Sequence, residues 1–105
     1  MKMKKIKLVL NNILIDFGVT IDKMYLFGSR AGEKYGRFSD YDILVVTKQD
    51  LSIEKKKILS KNIRKKFAQL HIDLDILIKS SNELKQSRNK TGSVIKQAIK
   101  EGILL

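Results

Sequence analysis

Three residue types, glycine, serine and aspartate, carry the chemical content of this chain through their spacing. Gly28-Ser29 follows the apolar run "MYLF", and after ten intervening residues Asp40-x-Asp42 opens a second apolar run, "DYDILVVT". A third aspartate, Asp75, opens another, "DILIK". In an extended strand, side chains two apart share a face and lie about 6–7 Å apart along the chain. Asp40 and Asp42 therefore project together. Asp75 joins them if its strand is a neighbour. Carboxylates packed this closely repel unless a cation lies between them, and magnesium binds through one or two carboxylates together with substrate phosphates. A glycine directly after a strand lets a phosphate approach the backbone, and free N–H groups at a helix start favour the anion. The pattern suits metal-assisted in-line displacement at a phosphate, in which paired ions stabilise the attacking and leaving oxygens.

Composition narrows the alternatives. There is no cysteine and a single histidine, His71, so thiolate nucleophiles, disulfides and multi-histidine metal sites are excluded. Metal chemistry must run through oxygen ligands, which favours magnesium, manganese or calcium. The 22 basic residues against 11 acidic leave a net charge of +11, which attracts nucleotides, nucleic acid or an acidic protein. Eighteen of the 22 are lysine, and an A/T-rich coding bias explains such an excess equally well. No Gly-Lys-Ser/Thr of a P-loop and no Gly-x-Gly-x-x-Gly is present. The opening "MKMKKIKLVLNNILIDF" is interrupted by Asn11, Asn12 and Asp16 and lacks a small-residue cleavage site. No stretch reaches the ~20 apolar residues of a membrane span, so a cytoplasmic protein is expected.

The elements that must position these residues follow from periodicity. Ile6, Leu10, Ile13, Leu14 and Phe17 recur at helical spacing, with Gly18 as a C-terminal cap. A strand is expected over Met24 to Phe27, a helical turn and loop over 30–39, and a strand over 42–47. The segment "SIEKKKILSKNIRKKFAQL" predicts a helix that buries Leu59, Ile63, Phe67 and Leu70, its lysines forming a solvated face. "HIDLDILIK" alternates as a third strand, with Leu74, Ile76 and Ile78 on one face and Asp73, Asp75 and Leu77 on the other. Val94, Ile95, Ala98 and Ile99 predict a closing helix. The 105 residues form one domain, 1–105, of α/β class with a small sheet flanked by helices.

The motifs "GSRAG", "SDYDILVV" and "LDILIKSSNEL", with the ending "GSVIKQAIKEGILL", resemble the minimal nucleotidyltransferases of the DNA polymerase β-like superfamily. Within it, the spacing Gly-Ser, ten residues, Asp-x-Asp is similar to that of the antitoxins of HEPN/MNT toxin–antitoxin pairs. The resemblance implies a mixed sheet, a triphosphate held at Gly28 and Ser29, and two Mg²⁺ ions (or Mn²⁺) held by Asp40, Asp42 and Asp75. Asp75 would also help to deprotonate the acceptor hydroxyl, and it fits the motif better than Asp73. Arg30 and Arg37 are candidates for phosphate contact, as is Lys34. Tyr35 and Tyr41 are weighed as base-stacking residues, with Tyr41 facing away from the aspartates, and His71 is read as structural.

Larger members of the superfamily hold base and acceptor with a further domain. Thirty residues follow Asp75, so a second copy, a partner or the substrate itself is expected to complete the surface. The resemblance names the partner as a HEPN-type ribonuclease toxin, and the reaction as transfer of AMP from ATP, or of another nucleotide, to a toxin tyrosine. Two alternatives stay open. One is an antitoxin that neutralises by binding alone. The other is a nucleotidyltransferase acting on RNA or a small molecule such as an aminoglycoside.

Overall fold

The computed structural model describes residues 2–27, 41–87, 100 and 102–105. Its elements are α1 (Lys2–Asp16), β1 (Ile21–Phe27), β2 (Tyr41–Thr47), α2 (Ile53–Gln69), β3 (Leu74–Ser80), α3 (Ser81–Ser87) and β4 (Ile103–Leu104). The strands form one mixed sheet in the order β3-β2-β1-β4. β1 runs antiparallel to β2 and β4, whereas β2 and β3, joined through α2, are parallel. Parallel neighbours require a crossover of this kind.

The two faces of the sheet differ. Leu26, Ile43, Val45, Ile76 and Ile78 meet Ile6, Leu10 and Leu14 of α1 and Leu59, Ile63 and Phe67 of α2 in the main core. The spacings i, i+4, i+8 in both helices produce these stripes. On the other face Leu44 and Val46 are buried among Tyr25, Phe27, Leu77 and Leu84. β2 is the strand covered on both sides, which explains its near-continuous apolar run.

Both long helices end in the same way. The N–H of Gly18 bonds to Ile15 O and that of Val19 to Leu14 O; the N–H of His71 bonds to Ala68 O and that of Ile72 to Phe67 O. These are Schellman caps, whose closing residue takes a left-handed backbone. Gly18 has φ 72° and His71 has φ 56°. His71 closes the α2 cap through its backbone, at a position that glycine fills with less strain, and its side chain is exposed. A Cβ at Gly18 would meet no atom within 4 Å, so backbone strain alone decides the outcome there. Gly18→Ala is expected to destabilise by about 1 kcal/mol and His71→Gly to stabilise by about 0.5–1 kcal/mol. Urea midpoints at constant m-value would check both, and equal signs would exclude the shared cap.

Five differences from the expected elements have identifiable causes. β3 begins at Leu74 rather than at His71, because the N–H groups of His71 and Ile72 are taken by the cap of α2. β1 begins three residues earlier, at Ile21, because a register irregularity between Ile21 and Lys23 carries pairing past Asp22. Leu70 is half-buried, as the cap residue rather than a helix-interior one. β4, two residues long, makes a fourth strand by pairing Ile103 with Leu26 and Leu104 with Tyr25. The helix α3 was not foreseen. It starts with a capping box: Ser80 Oγ accepts from Glu83 N–H (3.0 Å) and Glu83 Oε1 accepts from Ser80 N–H (3.0 Å). The Ser-x-x-Glu of "SSNEL" is the signal that marks it. The expected loop 30–39 and closing helix around Val94–Ile99 lie outside the described residues.

Glu83 also joins α3 to α2 through Lys56 Nζ, at 2.6 and 2.7 Å from its two oxygens, with Lys79 Nζ at 3.9 Å. Burial acts to raise the Glu83 pKa. The Lys56 and Ser80 hydrogen bonds and the lysine charges outweigh it, leaving the carboxyl below its ordinary 4.5. A depressed folded pKa contributes stability above the unfolded value, and the contribution is lost as pH falls through the folded value. Glu83→Gln is therefore expected to cost about 1 kcal/mol at pH 7. The gap to wild type should narrow as pH falls below about 4.5, measured by urea unfolding at several pH values. A gap independent of pH would exclude an ionised Glu83 as its source.

Candidate active site

One end of the sheet gathers three strand termini. β1 finishes at Phe27, β2 starts at Tyr41 and β3 starts at Leu74. Cross-strand register pairs Phe27 with Asp42, and Asp42 with Asp75. The two aspartates therefore sit side by side on neighbouring parallel strands, whose spacing is about 4.8 Å. By the two-residue alternation they project from the face that carries Leu44, Val46 and Leu77, opposite α1 and α2. Asp42 is half-buried and Asp75 exposed. Behind them the next cross-strand row, Tyr25–Leu44–Leu77, forms an apolar floor. Such a floor lowers the local dielectric and strengthens the carboxylates' interaction with any cation.

Asp73 takes a different position. It precedes β3, and its carbonyl accepts the Tyr41 N–H at 3.0 Å, aligning the starts of β2 and β3. Tyr41 is buried in the main core, on the side away from Asp42, in keeping with the packing role expected of it. Gly28, Ser29, Arg30, Arg37 and Asp40, with Lys34 and Tyr35, lie outside the described residues. Their connection leaves β1 at Phe27, the register partner of Asp42, and re-enters at Tyr41, which precedes Asp42 on β2.

Among the described residues, no group of three or more histidine, aspartate or glutamate side chains converges as a metal site. The pair Asp42 and Asp75 nevertheless fits a divalent cation by the chemistry of its donors. Both are hard oxygen ligands, and magnesium takes one or two carboxylates and completes its shell with water and phosphate. Phe27 is the neighbour that sequence reasoning passed over. It flanks Asp42 directly, and its place as the last strand residue before Gly28 was the available signal.

The chain matches the polymerase beta nucleotidyltransferase family model over residues 4–105, and it belongs to that family. It is thus a nucleotidyltransferase domain with a mixed α/β sheet, a class whose chemistry generally runs on divalent metals. No curated protein matches it in sequence. Solved structures share its fold. A chain in the crystal structure of a tyrosine-to-alanine mutant of the toxin–antitoxin MntA–HpeT aligns with a TM-score of 0.60 at 21% identity, over 94% of this chain and 70% of that one. A chain in the structure of the tri-AMPylated Shewanella oneidensis HEPN toxin with its MNT antitoxin gives 0.58 at 19%, covering 99% and 71%. A toxin–antitoxin crystallised with AMP-PNP gives 0.58 at 22%, covering 89% and 66%. No helix among the described residues is long and apolar enough to cross a membrane.

Proposed function

We propose that this domain transfers AMP from ATP to a tyrosine hydroxyl of a HEPN-type toxin and thereby acts as its antitoxin. The observation that carries the reading is the in-register pair Asp42 and Asp75 at the start of the parallel strands of a nucleotidyltransferase domain. Structural neighbours add support, since one contains a tri-AMPylated HEPN toxin with its MNT antitoxin and another contains AMP-PNP.

In this reading Asp40, Asp42 and Asp75 hold two Mg²⁺ ions, with Mn²⁺ as a substitute. When bound, such ions neutralise the triphosphate and the charge that develops on the leaving group. Gly28 and Ser29 bind the triphosphate through backbone N–H groups and the serine hydroxyl, while Arg30 and Arg37 neutralise phosphate charge. Asp75, the exposed member of the pair, accepts the proton of the tyrosine hydroxyl. The freed oxygen attacks the α-phosphorus, a new P–O bond forms, and the bond to the β-phosphate bridging oxygen breaks to release pyrophosphate. Alignment and electrostatics supply most of the acceleration, because little covalent work falls to the protein.

The test uses this protein purified with the product of an adjacent HEPN-type gene, Mg²⁺ and each nucleoside triphosphate in turn. Intact-mass spectrometry should find AMP added to the partner with ATP, and no adduct with Asp75→Ala. A tight complex without an adduct, unchanged by Asp75→Ala, would replace transfer with neutralisation by binding alone. An adduct on added RNA would redirect the proposal to that acceptor.

A further inference from the structure

The outer face of α2 carries a concentration of positive charge that nucleotidyl transfer does not use. Over its 17 residues the helix has seven basic side chains and one acidic, Glu54. Lys56 is engaged by Glu83. Lys57, Lys61, Arg64 and Lys65 are exposed, and among the described residues no carboxylate pairs with them. Their spacings of three and four place them on one side of the helix, spread over about 12 Å of its axis. At those spacings like charges repel, and no acidic residue is interleaved to relieve them. A shallow groove of about 460 Å³ runs along the stripe, lined by Ile53, Lys56, Lys57, Ser60, Lys61 and Arg64.

A general lysine excess from coding bias would be accompanied along the helix by the chain's acidic residues. That is not the case here: a chain with half as many acidic as basic residues falls to one in seven on α2. A basic stripe along a helix in a domain of pI ≈ 10.0 is the electrostatic footprint of a polyanion site. The only aromatic residue of α2, Phe67, is buried in the core, so no ring is presented for base stacking. We propose that the outer face of α2, through Lys57, Lys61, Arg64 and Lys65, binds the phosphate backbone of nucleic acid without reading its sequence. This face is backed by the main core, while Asp42 and Asp75 project from the other side of the sheet. Binding there leaves the aspartates accessible and is independent of transfer.

The experiment is fluorescence anisotropy with fluorescein-labelled 20-nucleotide oligo(U) and oligo(dT) between 50 and 200 mM NaCl, roughly the window in which phosphate contacts are most clearly resolved. Four phosphate contacts give a slope of log K against log salt of about −3 for single strands, equal for the two oligomers. The triple variant Lys57→Glu, Lys61→Glu, Arg64→Glu should weaken binding at least about tenfold. A charge-matched control on α1 and β1, Lys4→Glu, Lys7→Glu, Lys23→Glu, should weaken it less than about threefold. Asp75→Ala should bind as wild type does. If the glutamate triple fails to fold by circular dichroism, the glutamine triple at the same positions replaces it. Equal losses in patch and control variants would overturn the proposal, reducing the effect to net charge. No binding at 50 mM NaCl would overturn it too. Displacement of the oligomer by poly-L-glutamate at lower concentration than by unlabelled oligo(U) would mark an acidic protein as the occupant instead.

Discussion

Replacing Asp75 by asparagine is expected to lower nucleotidyl transfer at least about 10²-fold while leaving the melting temperature of the metal-free protein nearly unchanged. Asp75 is exposed at the start of β3, and substitutions at such positions usually fall within about ±0.5 kcal/mol. Its expected value lies in the reaction, where a carboxylate that holds a cation and takes a proton supplies about 3 kcal/mol or more of transition-state stabilisation. Asp42→Asn should produce a comparable fall, because register places it directly beside Asp75. Initial rates of pyrophosphate release with Mg-ATP and partner would measure both. Binding linkage provides a readout apart from activity: Mg-ATP at about 100 times its Kd stabilises a protein by about 2.7 kcal/mol. Wild type should show that gain in melting temperature, and each variant should lose most of it. Asp73→Asn separates the neighbouring candidates. It should retain activity within about threefold, since the Asp73 contribution seen here is a backbone carbonyl to Tyr41. A strong loss in Asp73→Asn with activity retained in Asp75→Asn would transfer the third carboxylate's role to Asp73.

The largest effect on stability is expected at Phe67. The side chain is 1% exposed and sits in the main core with Ile63, Ile72 and Ile76. Its carbonyl also accepts the Ile72 N–H in the cap that turns α2 into β3. Phe67→Ala removes the ring and leaves a cavity, at a cost of about 3–5 kcal/mol. Small domains have only about 5–15 kcal/mol in total. The melting temperature should fall by at least about 12 °C, on the scale of 4–8 °C per kcal/mol for a domain near this size. Because the same turn delivers Leu74 and Asp75 to the edge of β2, Mg-ATP binding should weaken as the variant approaches its lowered melting temperature. Urea unfolding with an unchanged m-value would verify a loss of stability rather than of compactness. A cost below about 1 kcal/mol would mean that the core closes around the gap.

Much of the fold was legible because its signals are local. The i, i+4, i+8 stripes of α1 and α2 and the β-branched run of β2 each lie within one segment. Burial of Leu59, Ile63 and Phe67 follows from that spacing alone. The αL residue at His71 was hidden, since nothing in "QLHID" announces a cap that is usually glycine. α3 was legible in principle through Ser80-x-x-Glu83. The seven-residue helix it starts is too short to show a periodic stripe. β4 is two residues long, below the length at which alternation has meaning, and its existence depends on β1 offering a free edge.

The candidate site divides along the same line. From the sequence come the oxygen-only ligand chemistry, the two-residue spacing of Asp40 and Asp42, and an aspartate at the head of a later strand. Those properties belong to residue types and to the pleat of a single strand. Whether that later strand lies next to the first is a matter of long-range pairing, which periodicity does not encode. The tertiary structure decided it. The α2 crossover lays β3 parallel to β2, and the apolar pairs Ile43–Ile76 and Val45–Ile78 lock the register against the helices. A slip by one residue would turn each of these side chains to the wrong face. The same lock that buries the isoleucines therefore brings Asp42 and Asp75 together.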